Sequence, residues 1–466
     1  MTSHYVSRYL SGLVLLLLAN CQTVQPPHDD GKRWGVAEPV ESGTADPPGR
    51  AELAMDAAGN AIAVWSYSER TDGLGYDIWA NRYVPDVGWG IEERIGADVE
   101  STALRSQVAM DANGNAIAVW QQTDGTRFDI WSNRYTTGVG WATEEPIELD
   151  DRGAALVPQV AMDPSGDAVA VWQHFDGTRF NIWANRYAPD EGWGRAEPIE
   201  TDDVGDATAP QVAVGPTGIA IVVWQQSDGM RDNIWSKRYT PSQGWGTPQP
   251  VETDNSGEAE APQIAVDAEG NGVAVWQQSD GERFNIWASR YTASDDRWSI
   301  AELIEVDDTG DSAEPQVAVS ANGTALAVWV QFDGTSFDVW SNRLEPDGGW
   351  DGAERIDNGD LDDARTPHIA MNARQSAVAV WIQPYREQPS VFSNRHSASD
   401  GWGAHQPIAA HDTWTQAPRV AVDPDDNALA TWTEFGGVWS SRLESDATST
   451  LPNGEGDEAI IGHGTR

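Results

Sequence analysis

Residues 168–172 read Ala168-Val169-Ala170-Val171-Trp172, apolar at every position. A strand with one face in water alternates apolar with polar side chains, so a continuous run means that both faces are covered. Runs of similar form end at Trp65, Trp120, Trp224, Trp276, Trp329, Trp381 and Trp432. A second set of tryptophans sits in segments such as Asn181-Ile182-Trp183-Ala184-Asn185-Arg186-Tyr187, at Trp79, Trp131, Trp183, Trp235, Trp287, Trp340 and Trp439, with Phe392 taking the place in the seventh unit. A third set opens a Trp-Gly-like segment, at Trp34, Trp89, Trp141, Trp193, Trp245, Trp298, Trp350 and Trp402. All but one of the 24 tryptophans therefore fall on three positions of one repeat, about fifty-two residues long.

Each unit reads as four short strands. In the third unit they are residues 158–163, 168–173, 181–187 and 193–200. Asp163-Pro164-Ser165-Gly166-Asp167, like Asp111-Ala112-Asn113-Gly114-Asn115, has the glycine that a tight hairpin needs at its left-handed position. Proline lacks an amide hydrogen and tolerates a strand with one unpaired edge; Pro39, Pro146, Pro198, Pro250 and Pro407 all lie in the fourth segment, which is thereby placed outermost. A sheet covered on both faces by copies of itself, in an array that must close, is a propeller blade. The eighth unit lacks its fourth segment, and residues 34–41 supply one. The expected fold is all-β, an eight-bladed propeller of four-stranded antiparallel blades, closed by the N-terminal strand completing the last blade.

Of the 466 residues, 73 are acidic and 29 basic, for a net charge of −44. Nucleic acid and anionic bilayer surfaces would be repelled over most of the molecule. Arg8, the apolar stretch Leu10 to Leu18 and then Cys21 have the layout of an export signal, with an apolar core too short to span a bilayer. Leu18-Ala19-Asn20-Cys21 resembles the bacterial lipoprotein signal, in which the cysteine is acylated after cleavage; Asn20 stands where that family prefers Gly, Ala or Ser. Cys21 is the single cysteine of the chain, so no internal disulfide competes for it. The resemblance implies lipidation at Cys21, and Gln22 after it implies sorting to the outer membrane, with the lipid as the only contact with the membrane. The expected organisation is a signal peptide over 1–20, a lipidated tether over 21–33, the propeller over 34–443 and an acidic, disordered tail over 444–466.

The turns Pro85-Asp86-Val87-Gly88-Trp89, Pro189-Asp190-Glu191-Gly192-Trp193 and Pro346-Asp347-Gly348-Gly349-Trp350 resemble degenerate Asp-box turns of sialidase-type propellers. The likeness covers a few residues per blade and implies a shared folding device. In architecture the chain also resembles the propeller lipoprotein of the outer-membrane β-barrel assembly machine.

A residue repeated in every blade is read first as structural. Arg82, Arg134, Arg186, Arg238, Arg290, Arg343, Arg395 and Arg442 end the third strands and are expected to pair with acids between blades. Acidic clusters between blades, among them Asp150-Asp151, Asp202-Asp203 with Asp206, and Asp307-Asp308 with Asp311, read as solvated charge, with calcium as the alternative. No other metal or cofactor is implied, because nucleophile elbows, phosphate loops, HExxH helices and paired-cysteine sites are missing.

Breaks in the repeat concentrate in units seven, eight and one. The glutamine of the first strand, seen at Gln107, Gln159, Gln211, Gln263 and Gln316, becomes His368, Arg419 and Glu52 there. The loop after the second strand becomes Tyr385-Arg386-Glu387 in unit seven and contains Glu69 and Arg70 in unit one. Trp414, the one tryptophan outside the repeat, stands beside His411 and Asp412. Aromatic plate and convergent polar groups together are the make-up of a sugar or peptide site. The candidate ligand-binding set is thus Glu69, Arg70, His368, Tyr385, Arg386, Glu387, His411, Asp412, Trp414 and Arg419. The expected function is a non-catalytic, lipid-anchored propeller that binds an envelope protein or polysaccharide, as a monomer. A glycan-active hydrolase or lyase built on the same loops is the alternative.

Overall fold

A computed structural model describes residues 32–41, 48–68, 75–96, 101–123, 125–150, 152–200, 204–252, 256–305, 309–357, 359, 363–385, 388–410, 415–434 and 436–445. They form eight antiparallel sheets with no helix among the described residues. The chain is an eight-bladed β-propeller. Blade three shows the plan: Ala155–Met162, Ala168–Phe175 and Phe180–Ala188 run in order from the axis outwards, and Gly192–Trp193 and Glu197–Pro198 both pair with the third strand.

Two details differ from the sequence reading. The outer strand is broken into two short pieces: the first ends with Gly194 donating to the Arg186 carbonyl, the register then shifts by one residue, and Pro198, opposite Trp183, has no N–H to donate. The first strand begins earlier, at Ala155, and carries a bulge between Leu156 and Gln159.

Closure follows the expected plan. In blade eight, Gly437–Ser445 pairs with Lys32–Trp34 and Glu38–Pro39, so the first and last described strands share one sheet. Gly35 donates to the Arg442 carbonyl and Val40 to the Val438 carbonyl, each at 2.8 Å. The ladder also takes up Lys32 and Arg33, opposite Ser445 and Glu444, from segments read as tether and tail. Cys21 and the rest of residues 1–31, and residues 446–466, lie outside the described residues. No helix of the described residues is long and apolar enough to cross a membrane.

The tryptophans hold the blades together. The first set is fully buried between sheets; Trp172, for example, packs with Ile117, Val119 and Ile130 of the preceding blade. Some third-set indoles donate across to a serine of that blade, Trp193 to Ser132 at 3.1 Å and Trp298 to Ser236 at 2.7 Å, whereas the Trp245 N–H, which faces no serine, is buried without a partner among the described residues. The seam is riveted alike, with Trp34 on Ser393 at 2.8 Å and Trp89 on Ser440 at 2.7 Å. Asn133, Asn185 and Asn394 cross the same gaps to the carbonyls of Ile95, Ile147 and Ile356.

The repeated arginines depart from the expected acid pairing. Most lie over a tyrosine of the next blade: Arg82 over Tyr135, Arg134 over Tyr187, Arg186 over Tyr239, Arg238 over Tyr291 and, across the seam, Arg442 over Tyr83, at 4.1 to 5.9 Å. A planar guanidinium stacks on a ring placed in reach by the repeat itself. Where the next blade has Leu344 instead, Arg290 donates to the carbonyls of Gly348 and Pro346. Among the described residues acid pairs supplement Arg238, with Asp296, Arg343, with Glu345, and Arg442, with Glu444.

Candidate functional site: the axial channel

A bulge in the first strand of blades two to eight decides what faces the axis, whereas the described first strand of blade one, Glu52–Met55, pairs without one. The residue two before the ring position has positive φ without being glycine: Arg105, Val157, Ala209, Ala261, Glu314, Thr366 and Ala417, at 49 to 56°. This conformation is uncommon for such residues and must be held from outside. The holding group is a side chain of the preceding blade: Gln121 Oε1 accepts the Val157 amide at 3.0 Å, and Gln173, Gln225 and Gln277 do the same for Ala209, Ala261 and Glu314. In blade six Val330 stands where those glutamines do, and the Glu314 carboxylate accepts the Thr366 amide instead, at 2.7 Å.

One consequence is a ring with one side chain from every blade: Glu52, Gln107, Gln159, Gln211, Gln263, Gln316, His368 and Arg419. They line an axial cavity of about 550 Å³, with Arg50 and Arg105 beside them. The ring is polarised. Among the described residues the side chains of Gln159, Gln211 and Gln263 have no hydrogen-bond partner and face the channel, whereas Glu52, His368 and Arg419 are tied to one another's blades.

Arg419 is buried, donates from Nε to Glu52 Oε2 at 2.8 Å and from Nη2 to Oε1 at 3.3 Å, and takes the Pro418 carbonyl with Nη1. Arg50 reaches Glu52 Oε1 at 2.7 Å from the more exposed side. Burial pushes the Glu52 pKa up to about 7, against the pull of Arg50 and a hydrogen bond from Gln107. His368 Nδ1 accepts the Val420 amide at 3.3 Å, which leaves Nε2 as the protonated nitrogen of a neutral ring. Burial, helped by the Arg50 charge, holds its pKa down to about 3.

Of the ten residues singled out from the sequence, the structure thus brings His368 and Arg419 into one ring. Glu69, Arg70, Arg386, Glu387, His411, Asp412 and Trp414 lie outside the described residues, and Tyr385 is described only as the last residue of the strand Ala377–Tyr385. Arg50 and Arg105 were not singled out. Their signal was there: an arginine two places before the ring residue, where the middle blades have Val157, Ala209 and Ala261.

The acidic residues between blades have structural work. Asp206, Glu258, Asp311 and Asp363 accept the first amides of the preceding blade's third strand, from Phe180, Asp232, Phe284 and Phe337, at 2.6 to 3.0 Å. Among the described residues no three acidic, histidine or cysteine side chains are grouped to hold a metal. Asp151, Asp202, Asp203, Asp307 and Asp308 lie outside them.

Neither a family model nor a curated protein matches this chain. Among solved structures, a mutant puromycin hydrolase aligns with a TM-score of 0.50 and 13% identity, covering 85% of this chain and 60% of that one. A protein of unknown function from Dyadobacter fermentans aligns at 0.45 and 10%, over 76% and 97%. The Hadza microbial sialidase Hz136 does so at 0.39 and 14%, over 63% and 66%. At such identities the likeness is one of fold alone.

Proposed function

We propose that this protein is a non-catalytic binding module of the cell envelope, exported and held by a lipid on Cys21, whose channel mouth receives a polar polymer, in the first place a polysaccharide. The observation that carries this reading is the ring. A primary amide both donates and accepts, as a sugar hydroxyl does, and three such groups stand free in one cavity. Glu52, the ring carboxylate, is by contrast engaged on both oxygens by arginines, which suits it to holding the ring rather than to moving protons.

Its pKa near 7 is the one feature that favours the alternative, a glycan-active hydrolase or lyase, because general acids and bases work best near ambient pH. Purified protein incubated with envelope and algal polysaccharides separates the readings. Retention of a polysaccharide without new chain ends, weakened in Gln159→Ala/Gln211→Ala, supports the binder. New chain ends abolished by Glu52→Gln would replace it with the enzyme. Retention of envelope protein alone would move the ligand to another class.

A further inference from the structure

The chain carries a net charge of −44, yet the channel lining holds three arginines, Arg50, Arg105 and Arg419, against one carboxylate, Glu52, and a neutral His368. The inversion is local and one-sided. Arg419 is spent on Glu52, and Arg50 shares that carboxylate from a position more than half exposed. Arg105 makes no hydrogen bond or ion pair among the described residues, although the bulge places it at the channel with a φ of 55°. On blade six, across the ring, the same bulge position holds Glu314, whose carboxylate is occupied by the Thr366 amide. A strained backbone that delivers an unpaired guanidinium to the axis of an acidic protein calls for an anion from outside.

We infer that the channel mouth binds an acidic saccharide, its carboxylate or sulfate held by Arg50 and Arg105 on blades one and two and its hydroxyls by the amides of Gln159, Gln211 and Gln263 on blades three to five. This rests on the polysaccharide reading above and names its substrate class. The two halves of the site do different work. Guanidinium groups bind planar oxyanions by paired, charge-assisted hydrogen bonds, whereas amides pair with neutral hydroxyls and are indifferent to charge. A neutral saccharide would meet only the amide half. The protein's own negative field disfavours an acidic polymer elsewhere on the surface, so the channel becomes the one favourable place for it.

The test uses the full exported chain and calorimetric titration with oligogalacturonates, with their methyl esters, and with sulfated galactan oligosaccharides. The uronate, the sulfated sugar or both should bind, and esterification should weaken the uronate. Arg105→Gln should cost about tenfold in affinity for the acidic ligand, as expected for one charge-assisted contact, and leave the methyl ester unaffected. Arg50→Gln should act in the same direction, and Gln159→Ala/Gln211→Ala should weaken acidic and esterified sugars alike. Arg105 is exposed, so its variant is expected to fold, and an unchanged thermal midpoint verifies that. Equal affinity for acid and ester, indifferent to Arg105→Gln, would overturn the inference and leave the polysaccharide reading standing. No binding of any saccharide would overturn both.

Discussion

Individual residues explain where the repeat tolerates exceptions. Two places after each buried tryptophan, five blades have a glutamine and one a glutamate, whose oxygen takes the indole N–H: Trp120 to Gln122 at 2.8 Å, Trp276 to Gln278 at 2.9 Å, Trp381 to Gln383 at 3.0 Å, for example. The glutamine amide can then turn to a buried acid, as Gln383 does to Asp357. Blade three has His174 there. The Trp172 indole N–H and His174 Nδ1 are left without partners, while Nε2 lies 3.6 Å from Glu148 and 3.1 Å from the Asp150 carbonyl. Burial alone would lower the His174 pKa, but Glu148 and the Asp150 carbonyl outweigh it, and the net direction is up. The stability gained by protonation is complete below the unfolded pKa, about 6.5, and fades as pH rises through the folded value. His174→Gln should therefore stabilise the fold at pH 8 by about 1 kcal/mol in urea titrations, and by less at pH 5. An equal or negative change at pH 8 would refute the pairing. His368 has the opposite sign. Its folded pKa, near 3, lies below the unfolded value, so its contribution is full above about pH 6.5 and is lost as pH falls. His368→Gln, which restores the ring glutamine, should flatten the acid limb of stability against pH. An unchanged limb would mean that His368 is not held neutral.

Elements were legible in the sequence where repetition and backbone chemistry agree, and illegible where they depend on another blade. The inner hairpins were read from their glycines, and Gly166 has a φ of 99° with Asp163 Oδ1 accepting the amides of Ser165, Gly166 and Asp167. The outer edge was read from proline. The bulge was not, because nothing in Ala155-Leu156-Val157-Pro158 announces it; what holds it is Gln121, thirty-six residues away on another blade. For the same reason the ring glutamines are visible in the sequence as a pattern but not as a channel, and Arg50 and Arg105 do not stand out there. Contact between elements makes a glycine obligatory in four of the inter-blade connections, at Gly153, Gly205, Gly257 and Gly310. A Cβ on Gly257 would lie 2.3 Å from the carbonyl oxygen of Ser279, the last residue of the second strand, and on Gly153 it would meet the Phe175 carbonyl in the same way. Gly257→Ala should lower stability by roughly 2–3 kcal/mol in chemical unfolding, as backbone overpacking does. A change within 0.5 kcal/mol, roughly the scatter of surface substitutions, would show that the connection around Gly257 yields freely.

At the scale of the molecule, an eight-sheet ring of net charge −44 is held against its own repulsion by buried tryptophans and a shared seam. Screening should help: the thermal midpoint is expected to rise between dilute buffer and roughly 0.5 M sodium chloride, where the screening length falls to a few ångströms. A midpoint that falls would mean that surface ion pairs outweigh the repulsion. The ring's count and closure were readable because the missing fourth segment of the last unit and the spare one at the front match residue for residue. What the channel accepts was not, since its polarity emerges only when eight first strands converge. All of it depends on the latch that joins residues 32–40 to Gly437–Ser445. Native-state hydrogen exchange measures that latch directly, at the amides of Gly35 and Val40. Protection matching that of Gly194 and Ile199, their counterparts in the outer strand of blade three, is the predicted result. Exchange at free-peptide rates, with the rest of the ring still protected, would show that the ring is not closed by its N-terminal strand.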